Sequence, residues 1–436
     1  MRFRFLFALF IPVYAAIVFA DDLHRAAYFG ASLRAPAGTQ QGAEVTRVRA
    51  GSPAERAALQ VGDRIIELNR QSVDYRQFQT KFAALSHGDV AEIGIVREGK
   101  ALTLKVPVEP IPKETIAGAE VIYDSVRIPD GYRVRTIITR PVSESVAKKM
   151  PAIFLVPWLS CDSTEAPFGP MDGTGKLLHA LASRSGFVLM RTDKPGLGDS
   201  EGPRCEDLDF KKELQAYQAA FRSLKNYTFV DPDRIYVLGL SNGGGIAPLV
   251  VGEDKVRGYV ISGGWVKTWF EHMIEIERRR LALSGEKPGQ VNAHMAEFEE
   301  FYTEYLIQKQ TPAQIIKKSP SFQSLWYDEP EHQYGRPAAF YQQLQELNLA
   351  EAWQKVDSPV LVIYGEYDWI MSRSDHEMIA DIVNQRHPGK ARFVSIPKMD
   401  HGLTLQDSMQ GSFQNFGGGR WDDSLATLII NWLKQN

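Results

Sequence analysis

The chain runs to 436 residues, long enough for two domains, and at 44% apolar, 11% aromatic and 24% charged it has the composition of a folded protein with sizeable cores, not of a disordered one. Its formal net charge is −3 with no long basic run, which removes the electrostatic case for nucleic-acid binding. Two cysteines, Cys161 and Cys205, are too few for a disulfide scaffold and lie in no cluster with metal-ligand spacing, and nothing in the sequence requires a metal or an organic cofactor.

The first element, residues 1–20, reads as a secretory signal peptide. Met1-Arg2-Phe3-Arg4 supplies the positive start and Phe5 to Phe19 is an uncharged, mostly apolar run. Val18-Phe19-Ala20 then offers a cleavage site before Asp21-Asp22. The run is shorter than the ~20 residues that cross a bilayer, and no later uncharged run is long enough to do so. The expectation is an exported protein, periplasmic or secreted, with no stable membrane span after cleavage.

Residues 23–108 alternate short apolar strands with turns. Gly51-Ser52-Pro53-Ala54 opens a short helix, with Ser52 as N-cap and Pro53 at its first position. Val61-Gly62-Asp63 turns into the strand Arg64 to Leu68. Asp74 caps a helix through Leu85 with Phe78 and Phe82 on one face. Strands Val90 to Val96 and Ala101 to Val108 close the unit. This order resembles a bacterial PDZ domain, a small α+β fold. The resemblance implies that Tyr28-Phe29-Gly30-Ala31 is the loop that holds a peptide's C-terminal carboxylate, beside a strand edge that a peptide can extend. Residues 109–115, with Pro110 and Pro112, read as a linker.

From residue 116 to the end, strand-like runs alternate with helical patterns, the mark of a mostly parallel sheet with helices on both faces. Phe154 to Trp158 is a buried strand ending in a loop, and Asp193 to Ser200 is a Gly-rich turn after the strand Phe187 to Met190. The strand Ile235 to Leu238 runs into Gly239-Leu240-Ser241-Asn242-Gly243 and then a helix of small residues. That strand, sharp turn and helix is the setting of a nucleophile elbow. Between the strand Gly258 to Ser262 and the strand at Pro359 the chain carries a surplus, about 265–351, with helical patterns at Trp269 to Leu283 and Ala296 to Gln308. It reads as a helical cap, and its acidic cluster Glu297, Glu299, Glu300 and Glu304 as a solvated face.

A serine hydroxyl needs a base to become a nucleophile. Of nine histidines, His401 follows the strand Ala391 to Ile396 on a loop at its carboxyl edge. His272, His294 and His332 precede the expected acid, and His376 and His387 lie in or beside a helix. For the acid, Asp368 ends the turn Gly365-Glu366-Tyr367-Asp368 after an apolar strand, and Glu366 and Asp375 are weaker alternatives. The order Ser241, Asp368, His401, with the elbow and the Gly-rich turn, resembles the α/β-hydrolase superfamily, here with an eight-stranded type of sheet. The arrangement with an N-terminal PDZ-like unit is similar to exported bacterial hydrolases.

The resemblance implies an acyl-enzyme mechanism acting on an ester, thioester or amide. It implies an oxyanion hole from backbone N–H groups of Asn242 and of Trp158 or Leu159. Pro157-Trp158 stands where family members often have His-Gly, which leaves the second donor open. It also makes the strands before Cys161 and Cys205 sheet neighbours, so a disulfide between them is expected. The partners expected are a small ester or peptide substrate and a peptide C-terminus at the PDZ-like unit. The alternatives are a serine exopeptidase, or a peptide-binding scaffold whose hydrolase unit is not the main activity.

Overall fold

Runs of β-branched and aromatic residues bounded by glycine and proline form the strands of two sheets, one in each unit. The computed structural model describes residues 23–36, 41–142, 149–326, 328 and 332–436; the predicted signal peptide lies outside the described residues. Among those residues, no helix is long and apolar enough to cross a membrane.

The first sheet orders Ala31–Arg34, Ala43–Val48, Arg64–Leu68, Val90–Arg97 and Lys100–Pro107 side by side, with Gln71–Ser72 paired to Arg64–Leu68. Ser52 caps the helix Pro53–Arg56, and Asp74 caps Tyr75–Ala83 with a reciprocal bond from Gln77. Phe29, Phe78 and Phe82 fill the core in a three-ring cluster. Among the described residues, Ala31–Arg34 pairs on one side only and so presents an edge. Gly30, at φ +80°, must be glycine, because a Cβ there would lie 2.1 Å from that of Ser52. The Pro-rich segment expected to be a plain connector does more. Glu109–Pro110 pairs antiparallel with Ala27–Tyr28, a two-residue edge ladder in which proline's missing N–H is tolerated.

The second sheet has eight strands: β1 (Ala119–Arg127), β2 (Arg133–Pro141), β3 (Met150–Val156), β4 (Val188–Thr192), β5 (Val230–Leu240), β6 (Gly258–Ser262), β7 (Val360–Gly365) and β8 (Ala391–Ile396). Their order across the sheet is β8-β7-β6-β5-β3-β4-β2-β1. β2 runs antiparallel to both its neighbours, β4 and β1, and every other pairing in the sheet is parallel. Side chains alternate between two cores, Phe154, Val156 and Val237 on one face and Ile153, Leu155 and Leu238 on the other. Helices cover both faces, as the α/β-hydrolase fold requires.

The surplus between β6 and β7 forms the helices Trp269–Leu283, Pro288–Tyr302, Pro312–Lys318, Ala338–Gln345 and Leu349–Gln354. Their aromatic residues are continuous with the core of one sheet face. Two readings of this region need correction. The second helix begins at Pro288, not at Ala296, because proline at a first helical position starts a helix and Val291 and Met295 extend the buried stripe. The acidic cluster is not uniformly solvated: Glu304 lies in a widened helical turn, buried and paired with Lys318 at 2.7 Å.

Candidate active site

Every residue singled out for chemistry in the second unit lies at the carboxyl edge of the parallel strands. Ser241 follows β5 at φ +55°, a left-handed conformation imposed by the turn. The flanking glycines are sterically required. A Cβ on Gly239 would meet Gly243 O at 2.7 Å, and one on Gly243 would meet Val156 O at 2.0 Å. Asn242 is the first residue of the helix Asn242–Val251, whose N-terminus lies behind the Ser241 hydroxyl.

Three side chains form one hydrogen-bonded line. Ser241 Oγ lies 2.9 Å from His401 Nε2, and His401 Nδ1 lies 2.7 Å from Asp368 Oδ2. The other Asp368 oxygen accepts the Ile370 and Met371 amides at 2.9 and 2.8 Å, which fixes the carboxylate against the ring. Burial disfavours the charge on both partners, but their mutual attraction outweighs it. Asp368 is held below the ordinary aspartate range and His401 above the ordinary histidine range. Such a line can take a proton from the hydroxyl and hold the resulting imidazolium.

Four of the alternative acids and bases are engaged elsewhere. Glu366 accepts the Lys398 amide, and Asp375 accepts from Val266, Lys267 and Ser372. His376 bridges Gly264 N and Ser372 O, and His294 pairs with Glu286.

Supporting residues emerge that sequence reasoning passed over. Asp400 is buried and ties the His401 loop together through Thr404, Gln406 and Gly417. Gly263, at φ +66°, lets the imidazole in, since a Cβ there would lie 2.8 Å from His401 Cε1. Lys194, inside the Gly-rich turn, is buried and donates to Trp158 O at 2.8 Å, to Leu159 O at 3.2 Å and to Ser160 O. The C=O and N–H of a trans peptide point opposite ways, so holding the Trp158 carbonyl turns the Leu159 amide away from the lysine. Burial pushes the Lys194 ammonium down to about 8. A Gly-rich turn signals tight packing, but which carbonyls its lysine meets depends on a loop more than thirty residues earlier.

Cys161 and Cys205 are joined in a disulfide with Cα atoms 5.8 Å apart. The strands they follow, β3 and β4, are neighbours. Arg336, from the cap, donates to Cys205 Sγ at 3.0 Å and pairs with fully buried Glu213. The two units also meet here. Arg25 bridges Glu165 at 2.5 Å and Asp199 at 2.6 Å, and Tyr28 and Arg49 pack on Phe168.

Ser241 and His401 open into a cavity of about 940 Å³, walled by Trp158, Leu159, Phe168, Met171, Leu178, Trp269, His272, Ile276, Trp369 and Ile370 among others. Asn242, Trp158 and Leu159 line the same cavity. Tyr28, Phe29, Gly30 and Ala31 lie outside it, with Tyr28 against the Phe168 rim.

The family model described as "Serine aminopeptidase, S33" matches residues 173–407, more than half of the chain, and the model of the PDZ domain matches residues 21–87. The quorum-quenching protein AidA of Acinetobacter baumannii is 32% identical over 96 residues, which is 21% of this chain and 32% of that protein. A probable periplasmic serine endoprotease, DegP-like, of Rhizobium meliloti is 36% identical over 74 residues, 17% of this chain and 15% of that protein. The chain thus spans a third or less of the length of these curated relatives. Among solved structures, an esterase of Pyrococcus furiosus aligns at 12% identity and TM-score 0.43, covering 74% of this chain and 96% of that one. Est1E of Butyrivibrio proteoclasticus with ferulic acid bound aligns at 17% and 0.44, covering 71% and 96%.

Proposed function

The chain belongs to the serine aminopeptidase family of hydrolases and carries a PDZ domain besides, and from that premise we propose an exported serine hydrolase that cleaves carboxylic esters or thioesters of neutral, largely apolar acyl groups. The observation that carries the reading is the line from Ser241 Oγ through His401 to Asp368, at 2.9 and 2.7 Å. Ser241 Oγ attacks the acyl carbonyl as His401 Nε2 takes its proton. The tetrahedral oxyanion is held by the Asn242 and Leu159 amides, and His401 returns the proton to the leaving alcohol. Water then releases the acyl group by the same steps.

The cavity wall argues for the ester over an aminopeptidase substrate, despite the family description. Of the three carboxylates among the described lining residues, the one with a buried side chain, Glu165, is neutralised by Arg25, while Asp162 and Asp172 are exposed, so none stands buried and unpaired to hold an α-ammonium. Glu165 is bound by Arg25 and Tyr123, Asp172 caps Gly175 N, and rim Asp162 accepts from Ser160. Among the described lining residues there is no lysine or arginine, so an anionic acyl group is unfavoured. Export is supported by the disulfide, which suits an oxidising compartment. The open edge at Ala31–Arg34 favours a second role for the PDZ domain, capture of a peptide C-terminus at Tyr28-Phe29-Gly30-Ala31.

The test is fluorophosphonate labelling with site mapping, followed by a panel of p-nitrophenyl esters and aminoacyl amides. The adduct should fall on Ser241, esters should turn over faster than amides, and Ser241→Ala should lower kcat by roughly 10³-fold or more in a folded protein. An adduct on another serine, or amides as the better substrates, would overturn the reading.

A further inference from the structure

One polar ring in the cavity wall has no part in this scheme. His272 projects from the cap helix Trp269–Leu283, is 2% exposed, and lines the cavity together with Ser241 and His401. Its ring centroid lies 4.8 Å from that of Trp269 and 6.3 Å from that of Trp265. Nδ1 is buried with no hydrogen-bond partner, and no hydrogen bond ties the ring to another described residue. A buried polar group left this way in a binding cavity calls for an explanation.

The charged groups that act on the ring are Asp375, Arg279, His401 and Asp368; burial outweighs them and pushes its basicity down to about 4. The imidazole is therefore neutral at working pH and carries a single N–H. A buried N–H without an acceptor is rarer and costlier than a bare lone pair. The proton accordingly belongs on Nε2, and Nε2–H is the donor that remains to meet a bound molecule. The same wall carries Trp269, Ile276, Trp369 and Ile370, and the indole N–H groups of its two tryptophans are likewise buried without a partner. A neutral donor left without an acceptor in a largely apolar wall discriminates between a chain that offers it an acceptor and one that does not.

We propose that His272 is a specificity-determining residue whose Nε2–H donates to a neutral oxygen on the substrate's acyl chain, so that the preferred substrate is an oxygen-bearing acyl ester. The acceptor is an ether, hydroxyl or carbonyl oxygen, because a carboxylate would find no lysine or arginine among the described lining residues. The acyl chain is assigned as its carrier because it is the part of the substrate that stays on Ser241 after the alcohol departs. This inference rests on the ester-hydrolase reading above.

The test compares p-nitrophenyl hexanoate with isosteres in which oxygen replaces one chain methylene, scanned along the chain, each rate referred to that ester's own alkaline hydrolysis. The full-length wild type should favour the best isostere by about tenfold or more in kcat/KM, mainly through KM. In His272→Phe the ratio should fall to about one, and His272→Gln, which restores an N–H, should recover part of it. Because the readout is a ratio, general losses of activity cancel; His272→Leu replaces the Phe variant should that one fail to fold. A wild-type ratio near one at every position, or a ratio that survives His272→Phe, overturns this inference alone. Failure of the wild type to hydrolyse any of the esters overturns the ester reading and this inference with it.

Discussion

An imidazole accepts a proton only when neutral, and the surroundings of His401 set the pH at which that holds in the proposed mechanism. Burial opposes the imidazolium, but Asp368 at 2.7 Å favours it more, so the ring holds its proton above the ordinary histidine value of about 6.5. On the acid side kcat/KM should therefore rise with pH through an apparent pKa above 6.5; a rise centred below 6 would contradict the pairing. The alkaline side belongs to Lys194. As an ammonium it has three N–H groups for the carbonyls of Trp158, Leu159 and Ser160, but as an amine only two. Its proton leaves at about 8, so activity should fall again near that pH and the profile should be bell-shaped. Lys194→Met should remove the alkaline limb and lower kcat by about 10²-fold with little change in KM, the scale of one lost oxyanion donor. An unchanged alkaline limb in that variant would detach the lysine from the effect.

At the scale of elements, the arrangement depends on a few close approaches of backbone. Beyond β5, Gly243 lies against Val156 O, and just beyond β6, Gly263 makes room for the imidazole. Gly263→Ala should cost about 1–3 kcal/mol from its left-handed backbone. By displacing His401 it should also lower kcat by about 10²-fold. Thermal unfolding beside ester kinetics separates the two effects, and full activity in a destabilised variant would show that the ring tolerates the methyl group. Legibility in the sequence differed between elements for a physical reason. The elbow is a local motif, strand, Gly-x-Ser-x-Gly and helix, so neighbouring residues suffice to recognise it. The helix at Pro288 and the inward turn of Glu304 depend on what the cap packs against, and periodicity alone mislocated one and left the other on the surface.

Across the whole molecule, the loops around the cavity are tied down from three directions. The disulfide joins the segments after β3 and β4, Arg336 reaches them from the cap, and Arg25 clamps Glu165 and Asp199 from beside the PDZ sheet. Cys161 and Cys205 are 44 residues apart, and closing a loop of that length contributes about 4 kcal/mol in the chain-entropy model. The Cys161→Ala/Cys205→Ala protein should lose stability of that order in urea unfolding, with a lower midpoint. An unchanged midpoint would mean that the cap and PDZ contacts already hold these loops.

The amino-acid sequence by itself determined the alternation of strands and helices, the elbow at Ser241, and the chain order in which Asp368 and His401 follow it. It also marked out the PDZ segment through its caps and turns. These are properties of neighbours along the chain, where periodicity, capping and turn chemistry act over a few residues. Tertiary structure alone decided that Lys194 gathers the carbonyls of a distant loop and that His272 enters the cavity wall, and it brought Asp368 to His401 and Cys161 to Cys205 as the resemblance had led one to expect. Each of these joins residues tens to more than a hundred positions apart. The packing of a parallel sheet beneath its cap brings them together, and no local pattern encodes a distance across the sheet.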